Sequence, residues 1–203
     1  MKNMLKDAAI LFAITLIAGA VLGFVYDVTK APIAEQEAKA KSEACKEVFA
    51  DAASFEAQSG SEEEMTSVAA SGGYHKVSIN EVLNALDASG MPLGYVITVT
   101  SHEGYGGDIK FSMGIRNDGT LNGISILSIS ETAGLGMRAD EVLKPQFANK
   151  KAEQFTYTKS GAVSEDQIDA ISSATVTTNA VTNAVNAGLY YFQTELEGGD
   201  SNE

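Results

Sequence analysis

Residues Ala8–Tyr26 run without a charge or a proline. At about 1.5 Å per residue, a helix over that run covers most of a hydrocarbon core of about 30 Å. Backbone groups in lipid must be satisfied within the segment itself, so the run is expected to form one transmembrane helix. A cleaved signal peptide competes with this reading, because Ala18, Gly19 and Ala20 have the small-x-small form of a cleavage site. A signal core stops after about 7–15 apolar residues. This one continues through Val21, Leu22, Phe24 and Val25 to Tyr26, an interfacial residue type. A retained anchor is therefore expected, with residues 1–28 as cytoplasmic stub and span. Lys2 and Lys6 outweigh Asp7, which places the N-terminus in the cytoplasm and the rest of the chain outside it; Lys30, just past the span, weakens the bias a little.

The 203 residues allow one domain of ordinary size beyond the anchor, and 44% hydrophobic content supplies a core. Fourteen basic against 27 acidic residues give a net charge of −13 with no Lys/Arg cluster, which argues against nucleic acid as a partner. The single cysteine, Cys45, excludes an internal disulfide and any four-cysteine metal or iron–sulfur site built from this chain alone. It reads as a small apolar helix residue. His75 and His102 lack ligand-type neighbours, so no metal site is expected.

Residues 29–73 read as a juxtamembrane helix and an acidic connector. Pro32 suits the first turn of a new helix through Glu35, Lys39, Glu43 and Glu47. From Asp51 to Gly73 the composition turns to Ala, Ser, Glu and Gly with almost no periodicity, which predicts a solvated loop or partly disordered connector, with Glu62, Glu63 and Glu64 as plain solvation. Residues 74–196 read as the folded domain. Ser89-Gly90 leads into a strand at Leu93–Val99, and Asn117-Asp118-Gly119 joins strands at Ile109–Arg116 and Leu121–Ile129. These are consecutive antiparallel hairpins. Val181, Val185, Leu189, Phe192 and Leu196 then form one apolar face of a helix, for which Thr178 is a natural N-cap. A helix over one face of an antiparallel sheet gives an α+β domain. Residues 197–203 read as a disordered acidic tail.

The turn entering that helix, Asp169–Thr178, contains no His, Cys or Lys, so its chemistry runs through hydroxyls and backbone N–H groups. Read by itself it is a Ser/Thr-rich cap, or a phosphate site at a helix N-terminus. Two glycine-rich pieces precede it: Gly104, Tyr105, Gly106 and Gly107, and then Glu131, Thr132, Ala133, Gly134, Leu135 and Gly136. Alone, each reads as an ordinary turn.

Together, in this order and behind one N-terminal span, the blocks resemble a family. Asp169, Ser172, Ala174 and Thr175 are similar to the flavinylation motif Asp-x-x-Ser-x-Ala-Thr of the family that includes the G subunit of the Rnf complex and the C subunit of the sodium-pumping NADH:quinone oxidoreductase. The loops resemble its Gly-Tyr-Gly-Gly and Glu-Thr-x-Gly-Leu-Gly blocks. The chain departs from the family at Ser173, where Gly is usual, at Ala133, where Pro is usual, and at Asp108, where Pro often follows.

The resemblance implies an extracytoplasmic FMN-binding domain with FMN held through a phosphoester on Thr175, installed from FAD by a separate flavin transferase. It implies cofactor contacts from Ser172, Ser173 and Ala174, from Gly104–Gly107, and from Glu131, Thr132, Gly134, Leu135 and Gly136. The function implied is an electron relay in a membrane-bound, ion-translocating ferredoxin:NAD oxidoreductase, working with the other membrane and peripheral subunits. The quinone-linked complex and an anchored flavoprotein of extracellular electron transfer are the alternatives, and an anchored non-redox module is a third. A compact chain of this length resembles the Rnf member of the family more. No dinucleotide fingerprint and no cluster cysteines are present, so NAD and ferredoxin are left to partners.

Overall fold

The computed structural model describes residues 2–197, in two compact units, Met1–Ala40 and Lys41–Glu203. The first unit is helical throughout its described residues, as part of α1 (Lys2–Val48). Its described large side chains, among them Leu11, Phe12, Ile17, Leu22, Phe24 and Tyr26, are exposed, and the helix is long and apolar enough to cross a membrane. Thr15, the one aliphatic hydroxyl of the run, returns its proton to the carbonyls of Leu11 (3.1 Å) and Phe12 (3.0 Å). An apolar surface on every face with its polar groups internally satisfied is what a lipid environment requires, and the helix fits a membrane anchor.

Contrary to the expected restart at Pro32, α1 continues through the proline. The ring removes one helical N–H, but Ala34–Lys41 are nearly all strong helix formers that carry the helix on.

In the second unit five strands form an antiparallel meander: β1 (Ser54–Ala57), β2 (Val77–Leu86), β3 (Pro92–Ser101), β4 (Ile109–Arg116) and β5 (Leu121–Ile129). The α+β class and the hairpins agree with the sequence reading, and the turn glycines Gly90 and Gly119 both take φ +83°. Alternation along the strands serves two cores. Val82 and Ile97 join the larger one, under α4 (Thr175–Tyr191), whose Val181, Val185 and Leu189 are buried there. Leu83, Ala85 and Val96 face the opposite way and are covered by Cys45, Val48 and Phe49. Glycine makes room for Phe49: a Cβ on Gly94 would lie 2.8 Å from its ring, and one on Gly114 would lie 3.0 Å from it.

The connector expected between Asp51 and Gly73 is instead structured. Ser54–Ala57 adds an edge strand to Leu83–Leu86 of β2. Ser61 and Glu64 form a capping box, Ser61 Oγ accepting from the Glu64 N–H (3.2 Å) and Glu64 Oε2 from the Ser61 N–H (3.0 Å), and this starts α2 (Glu62–Ser71). The three glutamates therefore sit in a first helical turn, where the dipole favours them. Met65 and Ala69 attach α2 to the core.

After β5 come α3 (Ala139–Val142) and a short parallel pair, β6 (Thr156–Thr158) and β7 (Gln167–Asp169). Side-chain amides tie these pieces down by imitating strand neighbours. Asn186 of α4 accepts from the Phe155 N–H (2.7 Å) and donates to its carbonyl (2.9 Å). Gln146 does the same for Asp169, at 2.6 and 3.0 Å. Of the tail expected at 197–203, Glu197 closes the π-helical turn that follows α4, and residues 198–203 lie outside the described residues.

Candidate functional site

Antiparallel pairing puts the end of β3, the start of β4 and the end of β5 at one edge of the sheet: Ser101 is opposite Ile109, and Ile109 is opposite Ile129. The loops 102–108 and 130–135 therefore leave the sheet side by side. Glu131 binds them to α4. Its carboxylate is buried, 9% exposed, and accepts from the Gly106 N–H at Oε1 (3.2 Å) and from Thr177 Oγ1 at Oε2 (3.0 Å).

The glycines follow from this packing. A Cβ on Gly136 would lie 2.5 Å from Thr177 Oγ1 and 2.7 Å from Glu131 Cβ. One on Gly106 would run into the Ser130 carbonyl, and one on Gly104 into the Gly107 carbonyl. Gly134 is different: space around it is open, but its φ of +76° is left-handed.

Helix α4 begins a turn earlier than its apolar period suggests. Its first residue is Thr175 and its N-cap position is Ala174, with no capping side chain. Thr178, expected as the cap, is instead a buried residue of the first turn. Its hydroxyl accepts from the Ile171 N–H (3.1 Å) and donates to the Ala174 carbonyl (3.0 Å). The chain enters through Ser173 at φ +64°, a conformation that glycine takes without strain. Asp169 does not reach the helix start; its carboxylate accepts from the Ala162 N–H (2.7 Å) and holds the preceding loop. The N–H groups of Thr175, Val176 and Thr177 precede the first intrahelical bond, Thr178 N–H to Ala174 carbonyl (3.0 Å).

Two cavities meet at Thr175. The first, about 560 Å³, brings together eight of the sequence-predicted residues, Tyr105, Glu131, Thr132, Leu135, Gly136, Ser173, Ala174 and Thr175, and adds Val176 and Thr177. The second, about 520 Å³, is lined by Lys76, His102, Glu103, Gly104, Tyr157, Thr175, Val176 and Asn179. Of the remaining sequence-predicted residues, Gly104 borders only the second cavity, and Ser172, Gly106, Gly107 and Gly134 border neither. Thr175 is half-buried, and its hydroxyl has no hydrogen-bond partner among the described residues. Tyr105, 75% exposed, stands at the mouth of the first cavity.

Sequence reasoning missed Val176, Thr177, Lys76, Tyr157 and Asn179. Thr177 has no periodic signal, because residues two apart on a helix do not share a face. Lys76 and Tyr157 have no local signal, because only the tertiary fold brings them to Thr175.

A planar redox ring fits the first cavity. Leu135, Ala174 and Val176 offer apolar surface, Tyr105 an aromatic face, and the free N–H groups of the helix start offer donors.

Comparison with known proteins agrees. Residues 104–190 match the FMN-binding domain family, and residues 1–48 match the RnfG N-terminal region. The chain is 32% identical to the G subunit of the Na(+)-translocating ferredoxin:NAD(+) oxidoreductase complex of Acetobacterium woodii, over 95% of this chain and 93% of that protein. It is 31% identical to the G subunit of the ion-translocating oxidoreductase complex of Methanosarcina acetivorans, over 94% and 95%. Among solved structures, NqrC of Shewanella oneidensis is similar with a TM-score of 0.47 at 22% identity, over 58% of each chain. With an anchor-type helix, an FMN-binding domain and relatives aligned nearly end to end, the chain belongs to the RnfG family, the G subunits of ion-translocating oxidoreductase complexes.

Proposed function

We propose that this chain is the flavin-bearing electron relay of a membrane-bound, ion-translocating ferredoxin:NAD oxidoreductase, with FMN attached through a phosphoester to Thr175. The observation that carries the reading is the half-buried, unpartnered Thr175 hydroxyl at the first residue of α4, on the border of two cavities. Attachment requires a P–O bond to Thr175 Oγ1, breakage of the FAD pyrophosphate, and release of AMP and the hydroxyl proton. A separate flavin transferase supplies that step.

When bound, FMN supplies electron uptake and release. The protein's residues hold and shield it. Glu131 locks the two loops against α4, Leu135 and Val176 would offer the ring apolar surface, and the exposed Tyr105 would lie beside it. The N-terminal charges favour a domain outside the cytoplasm, where a dissociated cofactor would dilute away, so a tether matters there. The other subunits of the complex handle ferredoxin and NAD.

The test is Thr175→Ala. It removes flavin fluorescence from the denatured polypeptide and the FMN mass from the intact chain, while Thr177→Ala keeps both. Covalent flavin retained in Thr175→Ala would refute the assignment.

A further inference from the structure

The second cavity has unpartnered polar groups of one kind. Lys76 Nζ, the Tyr157 hydroxyl and the Asn179 amide have no hydrogen-bond partner among the described residues, and each can donate. The other polar side chains there are engaged. Glu103 Oε2 accepts from Asn183 Nδ2 (2.8 Å), and His102 is held at Nε2 by Ser78 Oγ (2.9 Å) and at Nδ1 by Asp108 Oδ1 (2.9 Å). Glu103 turns one carboxylate oxygen to Asn183, and the side chains with no partner at all among the described residues are an ammonium, a phenol and an amide. Thr175, with its free hydroxyl, stands on the same wall.

The backbones that carry these donors are held by the fold, Lys76 itself being exposed. Tyr157 is in β6, paired with Ile168, and the adjoining Phe155 backbone is clamped from both sides by Asn186. Lys76 immediately precedes β2, and its carbonyl accepts from the His102 N–H (2.9 Å). Asn179 is one turn along α4 from Thr175. On a chain of net charge −13 a phosphoryl group meets general repulsion, so a local lysine with two neutral donors answers a specific need.

We infer that Lys76, Tyr157 and Asn179 form a phosphoryl subsite that holds the phosphodiester of the group carried on Thr175, with the apolar first cavity left for the ring. This rests on the attachment proposed above. The three residues are positioning residues: they fix the direction in which the tether leaves the helix, and so which cavity the ring enters.

The test uses the flavinylated full-length chain in detergent and its ³¹P resonance. Lys76→Gln, Tyr157→Phe and Asn179→Ala should each move the phosphodiester resonance, Lys76→Arg should restore it toward the wild-type position, and Lys159→Gln, an exposed charge outside the cavity, should leave it in place. An unmoved resonance in the three variants, or an equal movement with Lys159→Gln, would overturn the subsite. In a second arm, free FMN and riboflavin are titrated against Thr175→Ala by flavin fluorescence. Lys76→Gln added to that background should weaken FMN roughly tenfold, the loss of one charge-assisted hydrogen bond, and leave riboflavin unchanged. Equal affinity for FMN and riboflavin would also overturn it. Absence of any phosphodiester resonance in the wild type would sink the covalent attachment instead, and the free-FMN arm would still decide the subsite.

Discussion

Glu131 and Thr177 are hydrogen-bonded at 3.0 Å across 46 residues of sequence, and the same carboxylate holds the Gly106 N–H. One buried side chain thus joins both glycine-rich loops to the first turn of α4. Glu131→Ala should orphan a buried hydroxyl and loosen loop 102–108, at about 1–3 kcal/mol. Thermal unfolding reads the loss, and hydrogen exchange at Gly106 should accelerate while flavin stays on Thr175. Unchanged exchange at Gly106 would mean that the link is dispensable.

Two glycines of the second loop should respond to alanine for different reasons. Gly136→Ala places a methyl 2.5 Å from Thr177 Oγ1 and should cost about 1–3 kcal/mol by overpacking. Gly134→Ala meets open space but a φ of +76°, so its cost of about 1–2 kcal/mol is conformational. Removing the hydroxyl with Thr177→Ala should relieve part of the Gly136→Ala cost and none of the Gly134→Ala cost. A double-mutant cycle by chemical denaturation separates the two. Equal coupling to both would contradict the packing described.

Ser173 holds φ +64°. Left-handed backbone costs a non-glycine residue roughly 1–2 kcal/mol, while glycine loosens the unfolded chain by roughly 0.4–1 kcal/mol. Ser173→Gly should therefore stabilise the domain by up to about 1 kcal/mol and leave flavinylation intact, whereas Ser173→Val should destabilise it. A Ser173→Gly domain less stable than wild type by denaturant midpoint would show that the serine contributes something the backbone angle does not reveal.

Glu47 lies between Lys144 Nζ (2.6 Å) and Ser125 Oγ (2.5 Å). Burial pushes its carboxyl up, but the hydrogen bonds from Lys144 and Ser125 outweigh this and hold it below the ordinary 4.5. A lowered folded value gives stability that is present above pH 4.5 and lost as the pH falls through the folded value beneath it. Lys144 is opposed by burial but held above 10.5 by Glu47 and Asp140, so its share persists until the pH rises through that higher value. The groups are partly exposed, which limits the effect to about 1 kcal/mol. Glu47→Gln should be less stable than wild type at neutral pH, and the gap should close as the pH falls below 4.5 and through the lowered folded value. A gap constant over that interval would remove the ion pair as its cause.

The parts most legible in the sequence were those with a strong period or a strong exclusion. The charge-free run gave the apolar part of α1 but not its continuation through Pro32, and the turns at Gly90 and Gly119 gave the hairpins, with β4 and β5 at their observed limits. Helix α2 escaped because only Met65 and Ala69 are buried along it, too few to make a stripe, although Ser61 and Glu64 carried its capping signature. The start of α4 was displaced because its first turn is buried through the hydroxyls of Thr177 and Thr178, which a hydrophobic period does not count. The site divides in the same way. Its glycine blocks and motif threonine were visible as local strings, whereas Lys76 and Tyr157 reach Thr175 and Asn179 only through the tertiary fold.

Phe49 sits over the gap left by Gly94 and Gly114, on the sheet face that α4 does not cover. The chain just beyond residue 40 is therefore not a spacer but the lid of a second hydrophobic layer. Recombinant fragments begun at the first strand would bare Leu83, Ala85 and Val96 to water, and fragments begun at Lys41 would not. Where such a fragment begins therefore decides whether it carries its own cover for that face or presents an apolar patch to its neighbours.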